Sequence, residues 1–157
     1  MMDTNIVTAI PKKPVPNLTV RKGIMALEHG MIQLPQLEIL PKHYFADGIY
    51  AREILIPAGT LLTGMIHKTQ TIDVVSYGDI SVLTEAGVKR IQGPCTLISQ
   101  PGIKKVGYAH TDTLWTTIHA NRDDLTDLNT LEELLVTQNY EDLIDDQSIK
   151  DLLLEVA

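Results

Sequence analysis

Between residues 49 and 119 apolar and polar side chains alternate with a period of two, in short runs cut by turn residues. In 49–56 the alternation puts Tyr50, Arg52, Ile54 and Ile56 on one face, and Ala51, Glu53 and Leu55 on the other. A period of two is the signature of a strand with one buried face. Similar runs occupy 60–67, 72–77, 80–84, 88–91, 96–99, 104–109 and 113–119. Asp47-Gly48, Pro57-Ala58-Gly59, Gly78-Asp79, Glu85-Ala86-Gly87 and Gly93-Pro94 separate them. Glycine supplies positive φ and proline removes a ladder donor, so these are turns. Short strands with such frequent turns predict a sandwich or barrel, not a βαβ fold.

The flanks follow another rhythm. Val20, Ile24, Leu27 and Met31 recur at helical spacing, which predicts a helix over 19–30, capped by Thr19 and stopped at Gly30. Residues 34–44, bounded by Pro35 and Pro41, read as extended. Pro11, Pro14 and Pro16 around Lys12 and Lys13 make 1–18 a disordered end or an arm lying on a neighbouring subunit. After Asn121 the spacing turns helical again. Thr130-x-x-Glu133 reads as a capping box ahead of Leu134, Leu135 and Val136, and further apolar sets follow at Tyr140, Leu143, Ile144 and at Ile149, Leu152, Leu153. The chain therefore divides into an arm and helix (1–33), a β-barrel (34–121) and an acidic helical tail (122–157). Leu131, Leu134, Leu135, Leu143, Leu152 and Leu153 need cover, on their own barrel or on another subunit, and a homo-oligomer is expected.

A chain of 157 residues fits one domain. Its net charge of −7 is unevenly spread. Residues 123–157 hold eleven acids against Lys150, a balance of −10 that leaves +3 for the rest. That tail would repel a phosphate backbone, and no dense basic stripe offsets it, so direct nucleic-acid binding is not expected. No apolar run approaches the roughly 20 residues that span a bilayer, and 1–10 lack the pattern of a signal peptide. Cys95 is the single cysteine, which excludes an intrachain disulfide and fits a reducing compartment. Without a nearby histidine it reads as a core residue. No glycine-rich phosphate loop or nucleophile elbow is present. Trp115 reads as core packing.

One series of motifs is specific: His43-Tyr44-Phe45-Ala46-Asp47-Gly48-Ile49-Tyr50-Ala51-Arg52-Glu53, Ile56-Pro57-Ala58-Gly59-Thr60, Gly64-Met65-Ile66-His67-Lys68-Thr69, Ser99-Gln100-Pro101-Gly102-Ile103-Lys104-Lys105 and Trp115-Thr116-Thr117-Ile118-His119. In these, about half of the chain resembles a family of small cupin-like proteins encoded by tailed bacteriophages and prophages. The resemblance implies a cupin-type double-stranded β-helix and a phage origin. It also exposes a departure. Cupins at large carry His-x-His with a nearby carboxylate, and another histidine shortly after a Pro-x-Gly turn. Here His67 holds the first position, Asp73 can replace the carboxylate, Thr69 stands where the second histidine would be, and Lys104 and Lys105 follow Pro101-Gly102.

Two sites are therefore weighed. A divalent metal would need three or four ligands. The candidates are His67 and His119, with His43, Asp73 or Glu53 as the third. No metal or other cofactor is the leading expectation, since the motif is broken at two of four positions. Lys68, Lys104 and Lys105 could instead form an anion pocket for a carboxylate or sugar acid, or stand as solvated charges along strand edges. Arg52 beside Glu53 reads as an ordinary strand pair. The function expected is non-catalytic: a phage-encoded protein working through protein contacts, as an accessory head or tail component of the virion. The alternatives are a metal-dependent isomerase, epimerase or dioxygenase using His67 and His119, and an inhibitor of a host factor. The expected location is the virion or the cytoplasm of the infected host.

Overall fold

The computed structural model describes residues 18–139. The runs of period two form strands: β1 (Lys42–Ala46), β2 (Ile49–Ile56), β3 (Leu61–Thr63), β4 (Ile66–His67), β5 (Thr71–Tyr77), β6 (Asp79–Thr84), β7 (Gly87–Gln92), β8 (Cys95–Ser99), β9 (Val106–Ala109) and β10 (Thr113–Ala120). A helix, α1 (Leu18–Ile32), precedes them, and α2 (Leu128–Leu135) with a short β11 (Val136–Thr137) follows. One sheet has five strands in the order β1-β2-β10-β5-β8, the other four in the order β3-β9-β6-β7. All pairings are antiparallel. The chain crosses between these two sheets six times: from β2 to β3, from β3 through β4 to β5, from β5 to β6, from β7 to β8, from β8 to β9 and from β9 to β10. That interleaved order is the double-stranded β-helix.

The expected strand over 60–67 is broken in two. Gly64 leaves the ladder, its N–H donating to the Lys105 carbonyl at 3.0 Å, and β4 pairs instead with β11. Turns use glycine where φ is positive. Gly78 has φ +108°, and a Cβ there would lie 2.5 Å from the Thr113 Cα.

Between the sheets, Ile56, Val75, Ile80, Val82, Ile91, Ala109 and Trp115 form the core, with Cys95 packed against it. Both Trp115 and Cys95 thus take the packing roles read from sequence. Gly107 is buried opposite Leu62, where a Cβ would come within 3.0 Å of Leu62 Cδ2 and 3.2 Å of Ile80 Cδ1. Both neighbours are flexible tips bordering a cavity. Gly107→Ala is expected to lower the unfolding free energy by about 1 kcal/mol in a urea titration, because mild overpacking is relieved by side-chain shifts.

The flanks depart from expectation at their caps. The helix α1 runs through Gly30, which has ordinary φ, to Ile32. Its Met31 carbonyl accepts from the Leu34 N–H at 3.0 Å and from the Gln36 amide at 2.8 Å, so a turn and a side chain end it instead of a glycine. Ion pairs from Arg21 to Glu85 and from Glu28 to Lys104 tie α1 to the barrel. The N-cap of α2 is Asp127, whose carboxylate accepts from the Thr130 N–H at 2.9 Å. Thr130 is inside the helix and is not the cap. Leu131 and Leu135 are buried with Tyr50. These two are therefore withdrawn from any external docking surface, because the chain's own barrel covers them. Leu134 is exposed. Leu143, Leu152 and Leu153, the arm before residue 18 and the tail helices after 139 lie outside the described residues. Among those described, no helix is long and apolar enough to cross a membrane.

Candidate functional site

Alternation delivers one set of side chains from each strand into the interior. Register then decides which of them meet. His119 pairs with Tyr50, Thr117 with Arg52 and Trp115 with Ile54 across β10 and β2. Thr117 also pairs with Asp73 across β10 and β5. All of these but Asp73, which lies behind Lys105 and Thr117, border a cavity of about 690 Å³, which Leu131 and Leu135 of α2 roof and which His67 and Lys105 also line. Its deep end is apolar, with Ile56, Leu62, Ile80 and Val82.

Asp73 organises the floor. It is fully buried. Its carboxylate accepts from Lys105 Nζ (2.5 Å), Ser99 Oγ (2.5 Å), Thr117 Oγ1 (2.7 Å) and Trp115 Nε1 (3.1 Å). Burial pushes this carboxyl up, but the Lys105 charge and the bonds from Lys105, Ser99 and Thr117 outweigh it and hold Asp73 below the ordinary range. Lys105 Nζ also donates to Ser99 Oγ at 2.7 Å and sits 5.5 Å from the Trp115 ring centroid.

Above the floor stands a row of rings. His43 Nδ1 lies 2.8 Å from the Tyr50 hydroxyl. Tyr50 stacks on His119 with centroids 5.7 Å apart. His119 meets His67 edge-on at 5.1 Å. Backbone bonds on both sides fix His67: Val136 pairs with it, and its carbonyl accepts from the Gly102 N–H at 2.9 Å. Burial lowers the His67 pKa to about 4, helped by the Lys105 and His119 charges. Burial likewise lowers that of His119. Both rings are therefore neutral at pH 7. His119 is 5% exposed, and its Nδ1 has no hydrogen-bond partner among the described residues. Burial raises the Tyr50 pKa, Arg52 opposes this, and Glu132 adds to it.

His67 and His119 thus meet, but the rest of the candidate metal set does not complete a site. His43 reaches His119 only through Tyr50. Asp73 already accepts from four donors, one of them an ammonium. Glu53 faces the opposite side of the sheet, accepting from Tyr44 at 3.2 Å and Thr116 at 3.3 Å. Among the described residues no three His, Cys, Asp or Glu side chains converge for an ion. The cations Arg52 and Lys105 act on both imidazoles and would repel a divalent metal. The donor set does not fit a bound metal.

The three lysines do not converge either, which corrects the expected pocket. Lys68 Nζ donates to the Glu133 carbonyl at 2.6 Å at the surface. Lys104 is 1% exposed and paired with Glu28. Neighbouring side chains on extended backbone point opposite ways, so Lys105 alone enters the cavity. Arg52 is a cavity-lining residue that sequence reading did not place in a site. Its pairing with Glu53 fails for the same reason, since the two residues lie on opposite faces. The alternation of 49–56 already placed Arg52 beside Tyr50 and Ile54.

No family model matches the chain, and no curated protein matches it. Solved structures resemble it at low identity. A protein with a double-stranded β-helix domain from Klebsiella pneumoniae has a TM-score of 0.48 and 12% identity over 59% of this chain and 80% of its own. KdgF from Halomonas sp. has a TM-score of 0.47 and 15% identity, covering 59% and 89%. A cupin domain from Bordetella pertussis has a TM-score of 0.45 and 15% identity, covering 56% and 98%. These likenesses concern the fold alone, and the strand order establishes it: the chain is a cupin-type double-stranded β-helix.

Proposed function

We propose that this chain is a metal-independent binding protein built on the cupin fold, working through contact surfaces and not through catalysis. The observation that carries the reading is the state of Asp73. The one carboxylate that could complete a site with His67 and His119 is bonded to Lys105, Ser99, Thr117 and Trp115. Releasing it would strand the half-buried ammonium of Lys105.

The outer face of the five-stranded sheet supplies a contact surface. Register lines up Tyr44, Ala51, Ile118, Ile72 and Ile98 in one apolar row across all five strands. Tyr44 is 49% exposed, Ile72 44% and Ile98 68%. The charged residues facing outward from these strands are Lys42 and Glu53, which stand opposite each other. A uniform neutral row suits a second copy, because a two-fold interface places one patch on itself. In light scattering after size-exclusion chromatography the protein should run at about 35 kDa, twice its 17.4 kDa. Ile98→Asp should shift it to monomer. A monomeric wild type at micromolar concentration would reject the paired state.

The resemblance to phage-encoded proteins supports a place in the virion, as an accessory head or tail component. Mass spectrometry of purified particles tests that, and absence from them rejects it. The contact between His67 and His119 favours one competing reading, a metal-dependent cupin enzyme. Stoichiometric metal in protein purified without chelator, lost in His67→Ala, would promote that reading over ours.

A further inference from the structure

Arg52 is an exposed guanidinium with no hydrogen bond or ion pair among the described residues, at the mouth of the 690 Å³ cavity. The other interior cation, Lys105, is already balanced by Asp73. Arg52 is therefore the cation of the chamber whose donors are left to offer. Glu132 of α2 also borders the cavity. Its charge and that of Arg52 both act on Tyr50, and the imidazoles of His67 and His119 feel Arg52, Lys105 and Asp73. The groups beside Arg52 are neutral and polar: Tyr50, Thr117, and His119 with its partnerless Nδ1. Such groups suit hydroxyls. Cavities of about 300–1,000 Å³ accommodate small organic molecules, and arginine grips a carboxylate through two parallel bonds.

The geometry points to a small hydroxylated organic carboxylate, of sugar-acid size, bound in this cavity with its carboxylate on Arg52 and its hydroxyls toward Tyr50, Thr117 and His119. The assignment rests on the metal-independent reading, since an ion between the imidazoles would occupy the same floor. It differs from the pocket expected of Lys68, Lys104 and Lys105, which share no cavity.

The test is calorimetric titration of the full-length protein, freed of metal by chelator, with D-glucuronate and with the uncharged methyl glucoside. Glucuronate should bind saturably, and the glucoside about tenfold more weakly or worse, as expected for a charge-assisted pair. Arg52→Gln should weaken glucuronate by about tenfold or more, and Arg52→Lys by less, because it keeps the charge and loses the fork. Lys68→Gln, outside the cavity, should leave binding unchanged. Glu132→Gln should tighten it. Circular dichroism checks that each variant is folded, and Arg52→Lys carries the test if Arg52→Gln is not. Absence of saturable glucuronate binding, equal binding of the glucoside, or indifference to both Arg52 variants overturns the ligand assignment and leaves the metal-independent reading standing. Glucuronate binding that appears only after zinc or manganese is restored overturns both.

Discussion

Asp73→Asn should lower the unfolding free energy by about 3–5 kcal/mol, the usual consequence of removing one partner from a buried ion pair. The carboxylate is fully buried and accepts from four donors on β8, β10 and the segment before β9. An amide can accept at one atom only, and its NH2 would face donors. Lys105 would then keep its charge with no counter-ion in a chamber that already holds Arg52. The loss should come mostly from that stranded ammonium. Adding Lys105→Met to Asp73→Asn should therefore restore much of the stability, although Lys105→Met alone also destabilises by leaving the carboxylate uncompensated. A double-mutant cycle by urea denaturation at pH 7 measures the coupling. A loss below about 1 kcal/mol in the single variant would mean that Asp73 does not hold the floor together. The same group has a pH signature. Its folded pKa is lowered, so its contribution is present above the unfolded value of 3.8 and disappears as pH falls through the folded value.

The second large effect appears at milder acidity. His67 titrates at about 4 in the folded chain and at 6.5 when unfolded. Below 6.5 the unfolded chain binds a proton that the folded chain refuses, so stability falls as pH falls. At pH 4.5 the loss from His67 alone should be about 2–3 kcal/mol relative to pH 7.5. His119 acts in the same direction. Asp73 cannot account for this window, because its unfolded pKa lies below it. The physical origin is burial, reinforced by Lys105, by His119 and by Arg52, with Asp73 opposing. Unfolding free energies measured from pH 7.5 to 4.5 should show a steep decline in the wild type and a shallower one in His67→Gln. Parallel curves for the two proteins would place the acid sensitivity elsewhere.

Much of the barrel could be read from sequence because its information is local. The alternation in 49–56 and 113–119 defines the inward faces of β2 and β10, and with them Tyr50, Arg52, Trp115, Thr117 and His119. The turn residues fix most strand ends. What could not be read is set by long-range partners. Lys104 and Lys105 look alike on paper. One is buried and paired with Glu28, 76 positions earlier, and the other is half-buried and paired with Asp73, 32 positions earlier. No spacing rule links them. The caps failed for a smaller reason. Asp127 and Thr130 are both competent N-caps, and the helix began one turn early because Asp127 could accept from the Thr130 N–H. The broken histidine motif was legible in the sequence, whereas the contact of His67 with His119 and the way Asp73 is engaged were not. That engagement is a property of the packed interior.

The roof over Tyr50 comes from α2, a segment that joins the barrel only after both sheets are complete in sequence. It is latched at its far end, where the Lys68 N–H donates to the Leu135 carbonyl and β11 aligns with β4. A chain cut just ahead of Asp127 would keep every strand of the two larger sheets and lose the ceiling, so Tyr50 and the imidazoles would be opened to water. The burial that keeps these rings neutral is thus completed late in translation, by the last part of the described chain to leave the ribosome.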